Sequence, residues 1–108
     1  MYFLMQCLHH DDMDAKRDEH RPDHRAWVQS GGNGVAVVLI GSALVDDNGS
    51  SIGNFGILQA ADEASARAFA EGDPFFKAGI VKSVQLTRLP DNFQAHRIPE
   101  PMTAVAKS

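Results

Sequence analysis

Chemistry in this chain starts with its histidines. His24 follows Arg21-Pro22-Asp23, and an imidazole is the side chain whose charge changes near neutral pH without outside help. Such a group takes or gives a proton in a reaction, a role worth roughly 10²–10⁴-fold in rate. On its own spacing, His24 reads as a surface or half-buried helix histidine. Asp73 stands directly before Pro74, the pattern of a helix N-cap followed by proline at the first helical position. Arg21 offers a planar guanidinium suited to an anionic or phenolate group, and equally to a solvated helix start. His9, His10, Asp11, Asp12 and Asp14 crowd metal-ligand types together. Zinc ligands come as separated pairs, and neighbours on an extended chain point to opposite sides. That run is therefore expected to be a solvated loop, and no metal is expected. Cys7 is the one cysteine, so no intrachain disulfide can form. Inside the apolar Met1–Leu8 run it reads as a buried strand thiol rather than a nucleophile.

Several function classes drop out. Gly31-Gly32-Asn33-Gly34 follows a helix rather than a strand, the wrong context for a dinucleotide. There is no Gly-x-Ser-x-Gly elbow, and no cofactor is expected. A net charge of −4 with no Lys/Arg-rich block argues against nucleic acid. The apolar N-terminal run is too short for a signal segment and lacks a basic start. Nothing approaches the roughly 20 apolar residues that span a bilayer, so a cytoplasmic protein with no membrane partner is expected.

The elements that must position these groups follow from pattern. Tyr2–Leu8, apolar on both faces, reads as a buried strand. Asp12–His20 is charged and weakly periodic, at most an exposed helical turn. Pro22 suits the first position of a helix reaching about Gln29, with Trp27 packed on a sheet and Gly31, Gly32 and Gly34 ending it. Val35–Ile40 is the clearest strand, its β-branched run suited to burial on both faces. Asp46-Asp47-Asn48-Gly49-Ser50 is a turn, and Ile52–Ala60 returns from it as a hairpin partner. Asp62 caps a helix to about Glu71. Asp73-Pro74 opens a short turn through Lys77, and Ile80–Leu89 is the last strand. Pro90, Pro99 and Pro101 punctuate an irregular tail, residues 91–108, expected to drape over the domain or a partner.

The order β-α-β-β-α-β is the ferredoxin-like arrangement: an α+β domain over 1–90, a four-stranded antiparallel sheet with two helices on one face. The bare face of that sheet, and the limited burial open to 108 residues, make a homodimer the expected cover.

On this frame five features come in order: the apolar first strand, Arg21-Pro22-Asp23-His24, Ile40-Gly41-Ser42, an alanine-rich second helix, and Asp73-Pro74-Phe75. In that order the chain resembles the YCII-related family over residues 1 to about 90. The resemblance implies a dimeric α+β barrel of ferredoxin-like subunits with a cavity between sheet and helices. It implies a His–Asp pair in that cavity, carried onto His24 and Asp73, with Arg21, Gly41, Ser42 and Phe75 at the substrate. Gly41-Ser42 stands where the family often has Gly-Pro, which alters one pocket wall. The activity implied is proton shuttling without a cofactor: a lyase, dehydrochlorinase-like, or an isomerase of a small, aromatic or hydroxylated compound. The competing expectation is a non-enzymatic dimer that binds a metabolite, or an accessory subunit, since no strong nucleophile, metal or cofactor motif is present.

Overall fold

The computed structural model describes residues 1–104. Strand β1 (Tyr2–His9) is followed by helix α1 (Asp14–Gly34), strands β2 (Ala36–Val45) and β3 (Ser51–Ala60), helix α2 (Glu63–Gly72), a single turn α3 (Pro74–Lys77), and strand β4 (Val81–Leu89). A short 3-10 turn, Ala95–Arg97, comes last. The sheet runs β2-β3-β1-β4, with every pairing antiparallel. This α+β arrangement is consistent with a ferredoxin-like fold.

One face of the sheet carries the core. Alternation puts Phe3, Met5, Cys7 and His9 of β1 on that face, all buried. Against them pack Ala66, Phe69 and Ala70 of α2 and, less deeply, Trp27 and Val28 of α1. Trp27 lies on the ring of Phe69 and donates its indole N–H to the Phe69 carbonyl at 3.0 Å. Asp62 caps α2, its carboxylate accepting from the Ser65 N–H at 2.8 Å.

The structure corrects the expected start of the first helix and the expected extent and burial of the second strand. Helix α1 starts at Asp14, and Pro22 lies inside it. A polar anchor holds the early turns: Arg17, only 5 % exposed, pairs with Asp14, and Arg21 pairs with Asp18. Apolar periodicity is blind to a helix seated on a buried guanidinium. Pro22 removes the N–H that would bond the Asp18 carbonyl, but both residues are exposed, so water can serve that carbonyl.

Beyond Ser30, Gly31, Gly32 and Asn33 each take φ near +60° and turn the chain back left-handed. A Cβ at Gly31 would sit 1.9 Å from the Ala36 carbonyl oxygen, so glycine alone fits.

Strand β2 is longer than Val35–Ile40 and is not buried on both faces. Val35 is 38 % and Ile40 45 % exposed: Val35 precedes the strand, and Ile40 points to the sheet face that the helices leave bare. Its register jumps from Val38↔Leu58 to Ile40↔Ile57, so Leu39 is an extra residue and the side chains beyond it change face.

Finally, the tail is tied to its own domain. Thr103 N–H donates to the Val38 carbonyl at 3.1 Å. Its hydroxyl accepts from the Val38 N–H at 2.8 Å and donates to the Val28 carbonyl at 2.7 Å. These bonds occupy the open edge of β2 beside the bulge. The last part of the expected tail, residues 105–108, lies outside the described residues. Among those described, no helix is long and apolar enough to cross a membrane.

Candidate active site

A cavity of about 520 Å³ opens between α1 and the sheet, within the usual range for small-molecule sites. Its floor follows from two glycines. Gly41 of β2 pairs with Gly56 of β3, which pairs in turn with Met5 of β1. Two neighbouring positions without side chains leave a hollow on the helix-covered face. A Cβ at Gly41 would lie 2.7 Å from the Phe55 carbonyl oxygen, so this approach of β2 to β3 requires glycine. The roof is α1, where three- and four-residue spacing turns Arg17, Arg21, His24, Arg25 and Val28 toward the cavity.

His24 and Asp73 meet in one wall. The His24 Nδ1 lies 2.8 and 2.9 Å from the two Asp73 carboxylate oxygens. Asp73 closes α2 and caps α3, where its Oδ1 accepts the Phe75 N–H at 2.8 Å. The capping role read from Asp-Pro and the contact with His24 are thus compatible in one side chain. A carboxylate accepts, so Nδ1 carries a proton, and in the neutral imidazole Nε2 presents a lone pair. Nε2 has no hydrogen-bond partner among the described residues. Phe75 stacks on the imidazole, ring centroids 4.1 Å apart and planes 1° from parallel. Hydrogen bond and stack together fix the ring plane.

The six residues that the family resemblance implied for the site all border this cavity: Arg21, His24, Gly41, Ser42, Asp73 and Phe75. Arg21 is tied to Asp18. The Ser42 hydroxyl donates to the neighbouring Ala43 carbonyl at 3.1 Å, so that residue contributes wall rather than a free hydroxyl.

The sequence reading missed the opposite wall. His9 is not in a solvated loop. It is the last residue of β1 and only 7 % exposed. The signal was available, since His9 continues the alternation of Phe3, Met5 and Cys7. Its Nε2 lies 2.7 Å from Asn54 Oδ1 and its Nδ1 lies 3.1 Å from Arg17 Nη1. Phe75 meets its ring edge-on at 5.8 Å. Burial holds the His9 pKa below its ordinary value; the charges of Arg17 and His24 push the same way, against the Asn54 bond and Asp73. Asn54 and Arg25, which also border the cavity, carried no motif that marks them.

Cys7 is buried, and burial, with help from the Asp73 charge, pushes its thiol up to about 12. A thiol so protonated is no nucleophile at neutral pH. Among the described residues no group of three or more His, Cys, Asp or Glu side chains is arranged to hold a metal.

Comparison with known proteins places the fold. A solved structure of 5-chloro-2-hydroxyhydroquinone dehydrochlorinase from Burkholderia phenoliruptrix AC1100, in complex with 2,5-dihydroxybenzoquinone, superposes with a TM-score of 0.71. It is 22 % identical, and the match covers 83 % of this chain and 94 % of that one. No curated protein sequence matches significantly. The sequence itself matches the family model of the YCII-related domain over residues 1–90, the stretch that carries the sheet, the helices and both walls of the cavity, and the chain belongs to that family.

Proposed function

We propose that this protein is a cofactor-free lyase or isomerase of a small, aromatic or hydroxylated compound, with His24 as the proton-transfer group and Asp73 as its orienter. One observation carries the reading: the His24 imidazole is bonded through Nδ1 to a buried carboxylate, while Nε2 stands without a partner in a cavity of about 520 Å³.

In this reading a substrate C–H or O–H proton moves to Nε2. The resulting imidazolium keeps its Nδ1–H on the Asp73 carboxylate, which offsets the new charge. In a lyase the electron pair left on the substrate forms the new double bond and expels the leaving group, chloride in a dehydrochlorination. In an isomerase the same Nε2–H returns the proton to another atom. Arg21 takes an anionic or phenolate group, and Gly41 and Ser42 shape the wall beside it. The dehydrochlorination performed by the structural relative is an activity of this class.

A homodimer, closing an α+β barrel, belongs to the same proposal. Leu8 and Ile40 lie on the sheet face away from the helices and are 46 % and 45 % exposed. A second copy laid on that face would bury them. Sedimentation at micromolar protein should give twice the chain mass; a monomer counts against the barrel.

The enzyme reading is tested with 5-chloro-2-hydroxyhydroquinone and unchlorinated hydroxyquinols as substrates. Chloride release or substrate proton exchange should fall by roughly 10²–10⁴-fold in His24→Ala, with the melting curve kept. Turnover untouched by that substitution removes His24 from the chemistry.

A further inference from the structure

The geometry points to Asn54 as the hydrogen-bond donor for a substrate oxygen, its amide turned to the cavity by a chain that runs from Arg17 through His9. The inference rests on the cavity being the reaction site, as proposed above.

The direction of the chain follows from donor and acceptor chemistry. Arginine only donates, so the His9 Nδ1 facing Arg17 Nη1 at 3.1 Å must accept. His9 then carries its proton on Nε2 and donates it to Asn54 Oδ1 at 2.7 Å. With its oxygen engaged inward, the Asn54 amide has one orientation, and its NH₂ faces the other way. That NH₂ has no partner among the described residues, and Asn54 is half-buried in the cavity wall. Arg17 is itself fixed, buried to 5 % exposure, paired with Asp14 and 3.4 Å from the Ser51 carbonyl oxygen. Each link polarises the next, which strengthens a chain of this kind.

The two histidines that flank Phe75 therefore do different work. His24 keeps Nε2 free for a proton, whereas His9 has both nitrogens committed and cannot act as a base without breaking the chain. His9 is a positioning residue. An NH₂ group takes an acceptor, which selects ligands with a carbonyl, enolate or phenolate oxygen at this wall and disfavours ammonium groups. When His24 removes a proton from a carbon conjugated to such an oxygen, negative charge gathers there. A donor already aimed at that oxygen stabilises it without reorganisation.

The test is NMR on ¹⁵N-labelled full-length protein with 4-nitrophenolate, a planar anion with an oxygen acceptor. His9 should be neutral with its proton on Nε2, and the Asn54 side-chain NH₂ should shift as the probe is added. Asn54→Asp still accepts from His9 but offers no donor, and it should weaken probe binding about tenfold or more. Its turnover of a substrate found for the wild type should fall by about 10²-fold, chiefly in kcat. His9→Phe should leave the fold intact and give a smaller loss of the same kind. A His9 proton on Nδ1, an Asn54 amide unmoved at millimolar probe, or wild-type binding by Asn54→Asp overturns the assignment. The His24 signal separates the two readings. If it moves while Asn54 stays silent, the donor assignment falls and the proton-transfer reading stands; if neither moves, both fall.

Discussion

The cavity has two polar walls, each built around a histidine and sharing Phe75 between them. On the wall formed by α1 and the α2–α3 junction, His24 bonds Asp73 through one nitrogen and leaves the other open. On the sheet wall, His9 spends both nitrogens, one on Arg17 and one on Asn54. The two imidazoles stand within reach of one phenyl ring, yet only the first can exchange a proton with a ligand and keep its own structure. What separates them is the partner at Nδ1. A carboxylate there fixes the proton on Nδ1 and frees Nε2; a guanidinium fixes it on Nε2 and aims it at whatever lies beyond. A histidine in a pocket is thus assigned by its hydrogen-bond partners rather than by its presence.

The sharpest way to break this contrast is to exchange the partner at Nδ1. In Asp73→Asn the amide can donate to Nδ1 and drive the proton to Nε2, giving His24 the tautomer His9 has. Turnover should drop by roughly 10²–10⁴-fold with the Phe75 cap still in place, and ¹⁵N spectra should show the tautomer change. Unchanged turnover would separate Asp73 from the chemistry.

On the other wall, Arg17→Met keeps the aliphatic stem but strips the donor from His9 Nδ1. Unfolding in urea should show a loss of about 1–3 kcal/mol, the cost of leaving a buried polar group without its partner. His24-dependent proton exchange should suffer less than in Asp73→Asn. A larger activity loss in Arg17→Met than in Asp73→Asn would reverse the proposed roles.

Titration gives a smaller effect. His9 holds a pKa below its ordinary 6.5 when folded, mainly through burial, with Arg17 and His24 pushing it down and Asn54 and Asp73 opposing. The unfolded chain therefore binds a proton first on acidification. Stability from this group is complete above about 6.5 and is lost as pH falls toward the lower folded value. His9→Gln should flatten that part of the stability profile, and a slope that survives belongs to other groups.

Cys7 gives the smallest and simplest check. Its thiol, raised to about 12, should resist iodoacetamide at pH 8 in the folded protein and react on unfolding. Its contribution to stability is full below about 9 and is lost as pH rises toward about 12. Rapid alkylation of the native protein would mean that the sheet face below the cavity is open.

Much of the His24 wall was legible because it is written locally. Asp73-Pro74 is a cap whatever surrounds it, and Arg21-Pro22-Asp23-His24 with Asp73-Pro74-Phe75 carries the family resemblance. The His9 wall is written across distant segments. Asn54, Arg17 and His9 come from β3, α1 and β1, and no spacing rule joins them until the strands are in register. The charged run from Asp12 hid a helix because its anchor is a buried arginine rather than an apolar stripe. The length and exposure of β2 were misjudged because a bare sheet face and the extra residue Leu39 are properties of the sheet, not of the strand's own letters.

By itself the sequence determined the strand-forming runs, the caps at Asp62 and Asp73, the left-handed stop after α1 and the protonatable groups, because these depend on backbone preference and on contacts within a few residues. Only the tertiary structure decided which nitrogen of each histidine is free, since that depends on a donor or acceptor brought from a distant element. The hollow above Gly41 and Gly56 was likewise set by strand pairing, because two missing side chains make a cavity only when they lie side by side.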